Sequence, residues 1–325
     1  MMARVGETMK AAAIDRFGGP EELSLHRLPI PAPAAGEVLI AVHTAGVGGW
    51  DADVRSGWYP AGPPRFPLVL GTDGSGVVAR VGAGVRRFRA GDKVHGYRFD
   101  SSFDRGGFYA EYVAIPALNV ARIPRGLDLV HAGAMTVTGL TALQGIDDAL
   151  HLAPGETIVI HGASGGVGTL AVQFAKLRRA RVLATASGPR GIRLARRLGA
   201  DAAVDGKRGD LAAALRRLAP DGVDAVLAVA GGQSLTHCLG AVRRGGRLAY
   251  PGGVEPRPRK RRGLSIVAYD AVAGPREFDR LRRAAEAAKL QVPIAASYPL
   301  ARAAEAHRRI AAGHVLGKIV LRVKR

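Results

Sequence analysis

The chain reads as an α/β protein in which a doubly wound parallel sheet is joined to an all-β, barrel-like unit. Three observations carry that reading. Between Thr157 and Lys289 short apolar strands alternate with helical patterns. Before Arg125 the strands are instead short and punctuated by Gly and Pro. A glycine-rich turn, Gly162-Ala-Ser-Gly165-Gly166-Val-Gly168, stands between an apolar β-branched run and a helical face.

In chain order, the first strands are Lys10–Ile14, Glu37–Thr44, Gly74–Val81 and Phe108–Ile115. Pro29, Pro31, Pro33 and the cluster from Pro60 to Pro67 mark loops between them. Trp50 to Ser56 has the length of a short helical turn, with Asp51 as its cap. A helix over His131–Leu150 leads into the alternating region. Its strands are predicted at Thr157–Ile160, Arg181–Thr185, Ala202–Val204, Ala225–Val229, Arg247–Tyr250 and Leu264–Ala268. The helices between and after them are Thr169–Arg178, Arg190–Leu198, Asp210–Leu218, Ser234–Val242 and Pro275–Lys289. Gly199 sits where a helix ends in a left-handed glycine. Six strands with crossover helices make a doubly wound sheet. After Lys289 the tail is extended, then helical over Ala301–Ala312, then a strand over Gly317–Val323. That strand has no partner in the parallel order and is expected to return to the first unit.

Composition bounds the function. With 325 residues the chain has room for two domains, and 47% apolar with 23% charged residues describes a globular protein. No apolar run approaches the ~20 residues that span a bilayer. The start lacks the long apolar core of a secretory signal, Met9-Lys10 is the more natural beginning, and the expected location is the cytoplasm. Cys238 is the single cysteine, so neither internal disulfides nor a multi-cysteine zinc lobe can form. A net charge of +20 invites a nucleic-acid partner, but the arginines are scattered along helices and only Arg257–Arg262 is a dense run. Aromatic residues total 5%, too few for base-stacking platforms, so solvated basic faces are the favoured explanation.

The glycine turn has specific physics. Glycine allows a sharp turn and lets a diphosphate approach the main chain, while the unpaired N–H groups of the helix's first turn form an anion site. Against G-x-G-x-x-G the three positions are Ala163, Gly165 and Gly168, with Gly162 beside the first. Ser164, Gly165, Gly166, Val167 and Gly168 are therefore the candidate diphosphate cradle.

Several stretches together resemble the medium-chain dehydrogenase/reductase superfamily, and within it the zinc-independent quinone oxidoreductases that include zeta-crystallin. They are KAAAIDRFGGPEEL (10–23), PAPAAGEVLIAVHTAGV (31–47), GTDGSGVVARVGAGVRRFRAGDKV (71–94), GGFYAEYVAIP (106–116), GLTAL (139–143), HGASGGVGTLAVQFAK (161–176) and GKIVLRV (317–323). The resemblance implies a GroES-like β-barrel catalytic domain over residues 1–126, completed by 290–325, and a Rossmann domain over 127–289. It implies an active site in the cleft between them, and a homodimer. The zinc branch has a cysteine after "AGV" and a GHE motif; here these places hold Gly48 and Gly71-Thr72-Asp73. Asp73 alone makes no zinc site, His43 and His95 read as structural or surface histidines, and no metal is expected. The quinone oxidoreductases carry Asn after "AGV" and a tyrosine a few residues on; this chain has Gly48 and Asp53 there.

An NAD site places an acid about 20 residues past the glycine turn, on the ribose. No acid occurs between Glu156 and Asp201, and Ser187 and Arg190 stand after the second strand. A 2′-phosphate would meet these, with Arg193, Lys207 and Arg208 nearby, so NADPH is the expected cofactor. The reaction expected is hydride transfer to a quinone or an α,β-unsaturated carbonyl, a pathway-specific enoyl reductase being the alternative. A weakly active NADPH-binding protein with a basic nucleic-acid surface is the reading from a different class. Thr138, at the domain junction, is a candidate contact to the nicotinamide ring or the substrate oxygen, Tyr59 and Tyr97 are candidate donors to the developing oxyanion, and Trp58 is a wall. Ala230-Gly231-Gly232 and Gly252-Gly253, at carboxyl ends of strands, are expected to line the nicotinamide half.

Overall fold

The computed structural model describes residues 7–58, 64–98, 106–206 and 211–324. The first unit contains β1 (Thr8–Ile14), β2 (Ser24–Pro29), β3 (Glu37–Val47) and helix α1 (Gly49–Ser56). It continues with β4 (Leu68–Val69), β5 (Asp73–Val81), β6 (Lys93–Tyr97), β7 (Tyr112–Pro116) and β8 (Val120–Arg122). Helix α2 (Leu129–Gln144) then crosses to the parallel region. That region alternates β9 (Thr157–His161), α3 (Gly166–Leu177), β10 (Arg181–Ala186), α4 (Gly188–Arg197), β11 (Ala202–Asp205) and α5 (Leu211–Leu218). β12 (Val223–Ala228), α6 (Gln233–Gly240), β13 (Val242–Pro251), β14 (Ser265–Tyr269) and α7 (Pro275–Ala287) complete it. The tail is β15 (Ile294–Pro299), α8 (Ala303–Ala311) and β16 (Lys318–Arg322).

The parallel sheet has the order β11-β10-β9-β12-β13-β14. The chain therefore reverses its winding beside β9, the position at which doubly wound sheets bind ligands. Every residue of β9 is buried, which is why its sequence is continuously apolar up to His161. Its side chains alternate between two cores. Ile158 and Ile160 face α2, α3 and α7, whereas Val159 faces α5 and α6.

The barrel is built from a three-stranded sheet, β2-β1-β4, and a larger one, β15-β16-β3-β5-β6-β8, in which β7 also pairs with β3. β16 lies antiparallel to β3, with Val320 opposite Gly46 and Ile319 opposite Val47. Residues far apart in sequence are thereby brought to the end of β3 that faces the parallel sheet.

Two local expectations need correction. Asp51 is not the first cap of α1 but its third residue, reaching back so that Gly48 N–H donates to Oδ2 at 2.8 Å. The segment Leu129–Ala149 is, by length and composition, apolar enough to cross a membrane, although no such run was expected. It is the helix clamped between the two cores, with 78% of its most apolar window buried inside the protein.

Candidate cofactor cleft and active site

The glycine turn follows β9 directly. Gly162 adopts φ 86°, a conformation that favours glycine, so it makes the tight turn that the motif alignment had placed at Ala163. Gly168 is the close-packing glycine, since a Cβ there would stand 2.2 Å from Gly162 O. At Gly165, by contrast, an added Cβ would meet only Gly162 O, at 3.6 Å. The backbone at the head of α3 is open to an approaching group. The first-turn N–H groups of this 12-residue helix have no intrahelical acceptors and carry the positive end of its dipole. A dinucleotide diphosphate fits this cradle.

The turn is braced from below. Thr185 Oγ1 accepts from Gly162 N–H at 3.2 Å and lies 2.8 Å from His161 Nδ1. Burial holds the His161 pKa down, so its neutral ring accepts at Nδ1 and directs Nε2–H toward Gly231 O at 3.5 Å. Ser164 sits at the other side: its Oγ accepts from Ser187 N–H at 3.3 Å, and its carbonyl accepts from Gly317 N–H at 2.9 Å. The periodicity of β9 gave no hint that His161 acts as this brace.

Two cavities hold most of the candidate residues, the first beside the glycine turn. One, of about 780 Å³, is lined by Ser187, Arg190, Ala230, Gly231, Arg309 and His314 among others. It gathers four of the sequence candidates. Arg193 lies instead on a neighbouring groove with Arg197 and Pro293, and Lys207 and Arg208 fall outside the described residues. Arg309 and His314 come from the tail, and Arg309 holds its own loop by donating to Gly313 O at 2.8 Å. Asp205, at the carboxyl end of β11, also lines this cavity and accepts from Gly188 N–H at 3.0 Å. A carboxylate that the reading of residues 157–200 did not include therefore shares a cavity with Ser187 and Arg190. The acid was missed because it comes from β11 rather than β10.

The second cavity, of about 340 Å³, lies at the junction of the two units. Its walls include Trp50, Trp58, Tyr97, Val137, Thr141 and Val272. Trp50 and Trp58 pack edge to face with ring centres 4.9 Å apart. Among the described residues Asp270 is the one acidic lining residue, and no Lys or Arg lines it. Gly252 stands against this wall: a Cβ there would lie 3.4 Å from Trp50 Cζ2, and Gly253 beside it has φ 82°. Tyr59 falls outside the described residues. Thr138 is at the junction, but its hydroxyl donates to Ala134 O and Met135 O of its own helix. It is the Thr138 methyl that faces Gly166. Contact with a substrate oxygen is not the role that the hydrogen bonds of Thr138 support.

Beside the second cavity lies a buried charged cluster that sequence reasoning did not assemble. Asp51 Oδ1 accepts from Thr72 N–H at 2.9 Å and Asp73 Oδ2 accepts from Val137 N–H at 3.0 Å. Lys318, on β16, places its ammonium 3.8 Å from Asp73 Oδ1. Burial pushes Asp51 up to about 6 and raises Asp73 as well, while the Lys318 charge opposes both shifts. Near Asp51, the Tyr109 hydroxyl lies 3.1 Å from His307 Nε2, and burial, together with the Asp51 and Asp73 charges, pushes the Tyr109 pKa up. Gly48 and Thr72 are the places where the zinc branch has its cysteine and the histidine ligand of GHE, and Asp73 stands at the glutamate of that motif. Here a zinc ion would meet an ammonium and one free carboxylate oxygen, so these residues do not fit it. Among the described residues no three His, Cys, Asp or Glu side chains gather into a metal site.

Comparison with known proteins agrees with this architecture. Residues 34–125 match the alcohol dehydrogenase GroES-like domain family, and residues 198–321 match the family described as zinc-binding dehydrogenase. Quinone oxidoreductase from Rattus norvegicus is 31% identical over 333 residues, covering 98% of this chain and 99% of that one. Among solved structures, an NAD-dependent alcohol dehydrogenase superposes with a TM-score of 0.89 at 34% identity, covering 97% of this chain and 100% of the other. A mycobacterial protein complexed with NADPH does so with a TM-score of 0.85 at 28% identity, with 97% and 100% covered. A parallel sheet with a glycine cradle at its switch point, an interrupted barrel and relatives of matching length leave one assignment: the chain belongs to the quinone oxidoreductase type of the medium-chain dehydrogenase/reductase superfamily.

Proposed function

We propose that this protein is a zinc-independent, NADPH-dependent reductase acting on a neutral, apolar quinone or α,β-unsaturated carbonyl. The observation that carries the reading is a pair of cavities, one beside the glycine turn and lined by Arg190, Arg309 and His314, the other walled by Trp50, Trp58 and Tyr97. When bound, a reduced nicotinamide supplies the hydride. The chain supplies a diphosphate cradle at Gly165–Gly168, and Ser187 and Arg190 for the adenosine end. Trp50, Trp58 and Val137 exclude water from the reacting end, which strengthens every electrostatic contact made there. The Tyr97 hydroxyl is the described donor that best suits a developing oxyanion.

Arg190, Arg309 and His314 favour a 2′-phosphate; Asp205, whose carboxylate suits ribose hydroxyls, and the likeness to an NAD-dependent alcohol dehydrogenase favour NADH. The proposed domain division puts residues 1–126 and 290–325 in one unit and 127–289 in the other; most of the two cores supports it, while Ala121, Leu290, Val292 and Val320 pack into the core of the parallel region. The outer strand β14, with Ile266 and Val267 half-buried, is the proposed homodimer edge.

The test is oxidation of NADPH and NADH by the metal-analysed protein across benzoquinones, naphthoquinones and enals. Turnover with NADPH at least tenfold more efficient than with NADH, at substoichiometric zinc, is expected. Activity that tracks zinc content, or a preference for NADH, overturns the corresponding part of the reading.

A further inference from the structure

The junction cavity walled by Trp50, Trp58 and Tyr97 carries one charge that hydride transfer does not call for. Asp270 follows β14 directly and is exposed, and among the described residues it forms no ion pair. No described Lys or Arg lines the same cavity. Its carboxylate is therefore an uncompensated negative charge on a wall that is otherwise mostly aromatic and apolar.

That charge is held in place. Tyr269, just before it, donates through its hydroxyl to Thr141 O at 2.8 Å. Val272, two residues after it, is tied to Gln144 by two hydrogen bonds, of 2.8 and 3.0 Å. Both anchors belong to α2. Asp270 itself accepts through Oδ1 from Gly252 N–H at 3.3 Å. A Cβ on Gly252 would meet Asp270 Oδ1 at 2.6 Å and Trp50 Cζ2 at 3.4 Å, so carboxylate and indole stand on either side of one glycine.

Tyr97 reaches the cavity from the barrel and Asp270 from the parallel sheet, so a bound molecule meets a donor from one unit and an acceptor from the other. A carbonyl oxygen that gains negative charge is repelled by Asp270 and stabilised by the Tyr97 hydroxyl, which orients the reacting end. A group lying against Asp270 is favoured if it is cationic or carries an O–H or N–H, and disfavoured if it is anionic.

We propose that Asp270 is a specificity-determining residue. It selects planar carbonyl substrates with a cationic or hydrogen-bond-donating group away from the reacting carbonyl, and turns away those with an anion there. This narrows the substrate class and rests on the reading of the junction cavity as the substrate site.

The test measures kcat/KM, with whichever nicotinamide nucleotide is the better donor, for three 1,4-naphthoquinones. They differ only in the substituent on the benzenoid ring: trimethylammoniomethyl, hydroxymethyl or sulfomethyl. The parent is expected to prefer the ammonium compound to the sulfonate about 10-fold at low ionic strength, with the hydroxymethyl compound between them. That preference should shrink to about threefold or less in roughly 0.5 M salt, because an exposed charge is screened. Asp270→Asn keeps an acceptor for Gly252 N–H and removes the charge, and thermal unfolding checks that it folds as the parent does. Its ammonium-to-sulfonate ratio is expected to fall about 10-fold from the parent value. An equal ratio in parent and variant, whether or not the rates themselves change, overturns the assignment, as does a parent preference indifferent to salt. Failure of the parent to reduce any of the three overturns instead the reading of the cavity as a quinone site.

Discussion

At the scale of single residues, the cleft separates glycines that hold the fold from glycines that admit a ligand. Gly165→Asp has space for its side chain, with only Gly162 O within 4 Å of the new Cβ. The substitution should leave the unfolding temperature within a few degrees of the parent. It should abolish calorimetric nucleotide binding, because a carboxylate then occupies the anion site. Gly168→Ala should do the reverse, since its Cβ would stand 2.2 Å from Gly162 O; a loss of about 1–3 kcal/mol in denaturant unfolding is expected. Arg190→Ala should weaken NADPH about tenfold and leave NADH unchanged, and Asp205→Asn should shift preference further toward NADPH. Equal effects of Arg190→Ala on the two nucleotides in a titration would place the 2′-phosphate elsewhere.

At the scale of elements, β6 carries a testable pH dependence. His95 is fully buried, bonded through Nδ1 to Thr136 Oγ1 at 3.0 Å, with Phe278 edge-on beside its ring. Burial pushes its pKa down to about 4, below the ordinary 6.5. The folded state therefore keeps it neutral. The stability this gives is present above pH 6.5 and is lost as the pH falls toward 4, by about 3 kcal/mol. His307, held down to about 3, acts in the same sense, whereas Asp51, raised to about 6, acts in the opposite one. His95→Gln should flatten the fall in denaturant-measured stability between pH 6.5 and 4; an unchanged slope would mean that the ring is already charged in the fold.

Elements were also the part of the molecule most legible from sequence. All six parallel strands lie where alternation of apolar runs and helical patterns puts them, because burial on both faces leaves continuous runs that periodicity detects. The turn was displaced by one residue, since a motif alignment counts glycines and only the backbone shows that Gly162 has the positive φ. Trp50, Asp205, Arg309 and Lys318 were missed for a common reason. Trp50 comes from α1, Asp205 from β11, Arg309 from α8 and Lys318 from β16 through its pairing with β3, and no local pattern records that they meet at the cleft.

At the scale of the whole molecule, the basic surplus is consistent with an ordinary surface. The dense run Arg257–Arg262 forms an exposed loop between β13 and β14, with Arg257 paired to Glu255 at 3.4 Å and Arg261 donating to Leu239 O at 2.7 Å. Nucleic-acid affinity, measured by fluorescence anisotropy across salt concentrations, should be weak and unaltered when that run is neutralised. A steep salt slope lost on neutralisation would favour the binding-protein reading.

The bridge between Gly165 and Gly317 has a consequence for how the protein is made. The helix head leaves the ribosome early, but the strand that walls it arrives on the order of 10–30 s later at ordinary elongation rates. Until then the nascent chain presents an open, charged trough against which no nucleotide can be gripped from both sides. Capture of the cofactor thus reports that synthesis has run through β16. Ribosome-stalled chains halted at residue 312 should fail to be retained on immobilised nucleotide, whereas released full-length chains should be held.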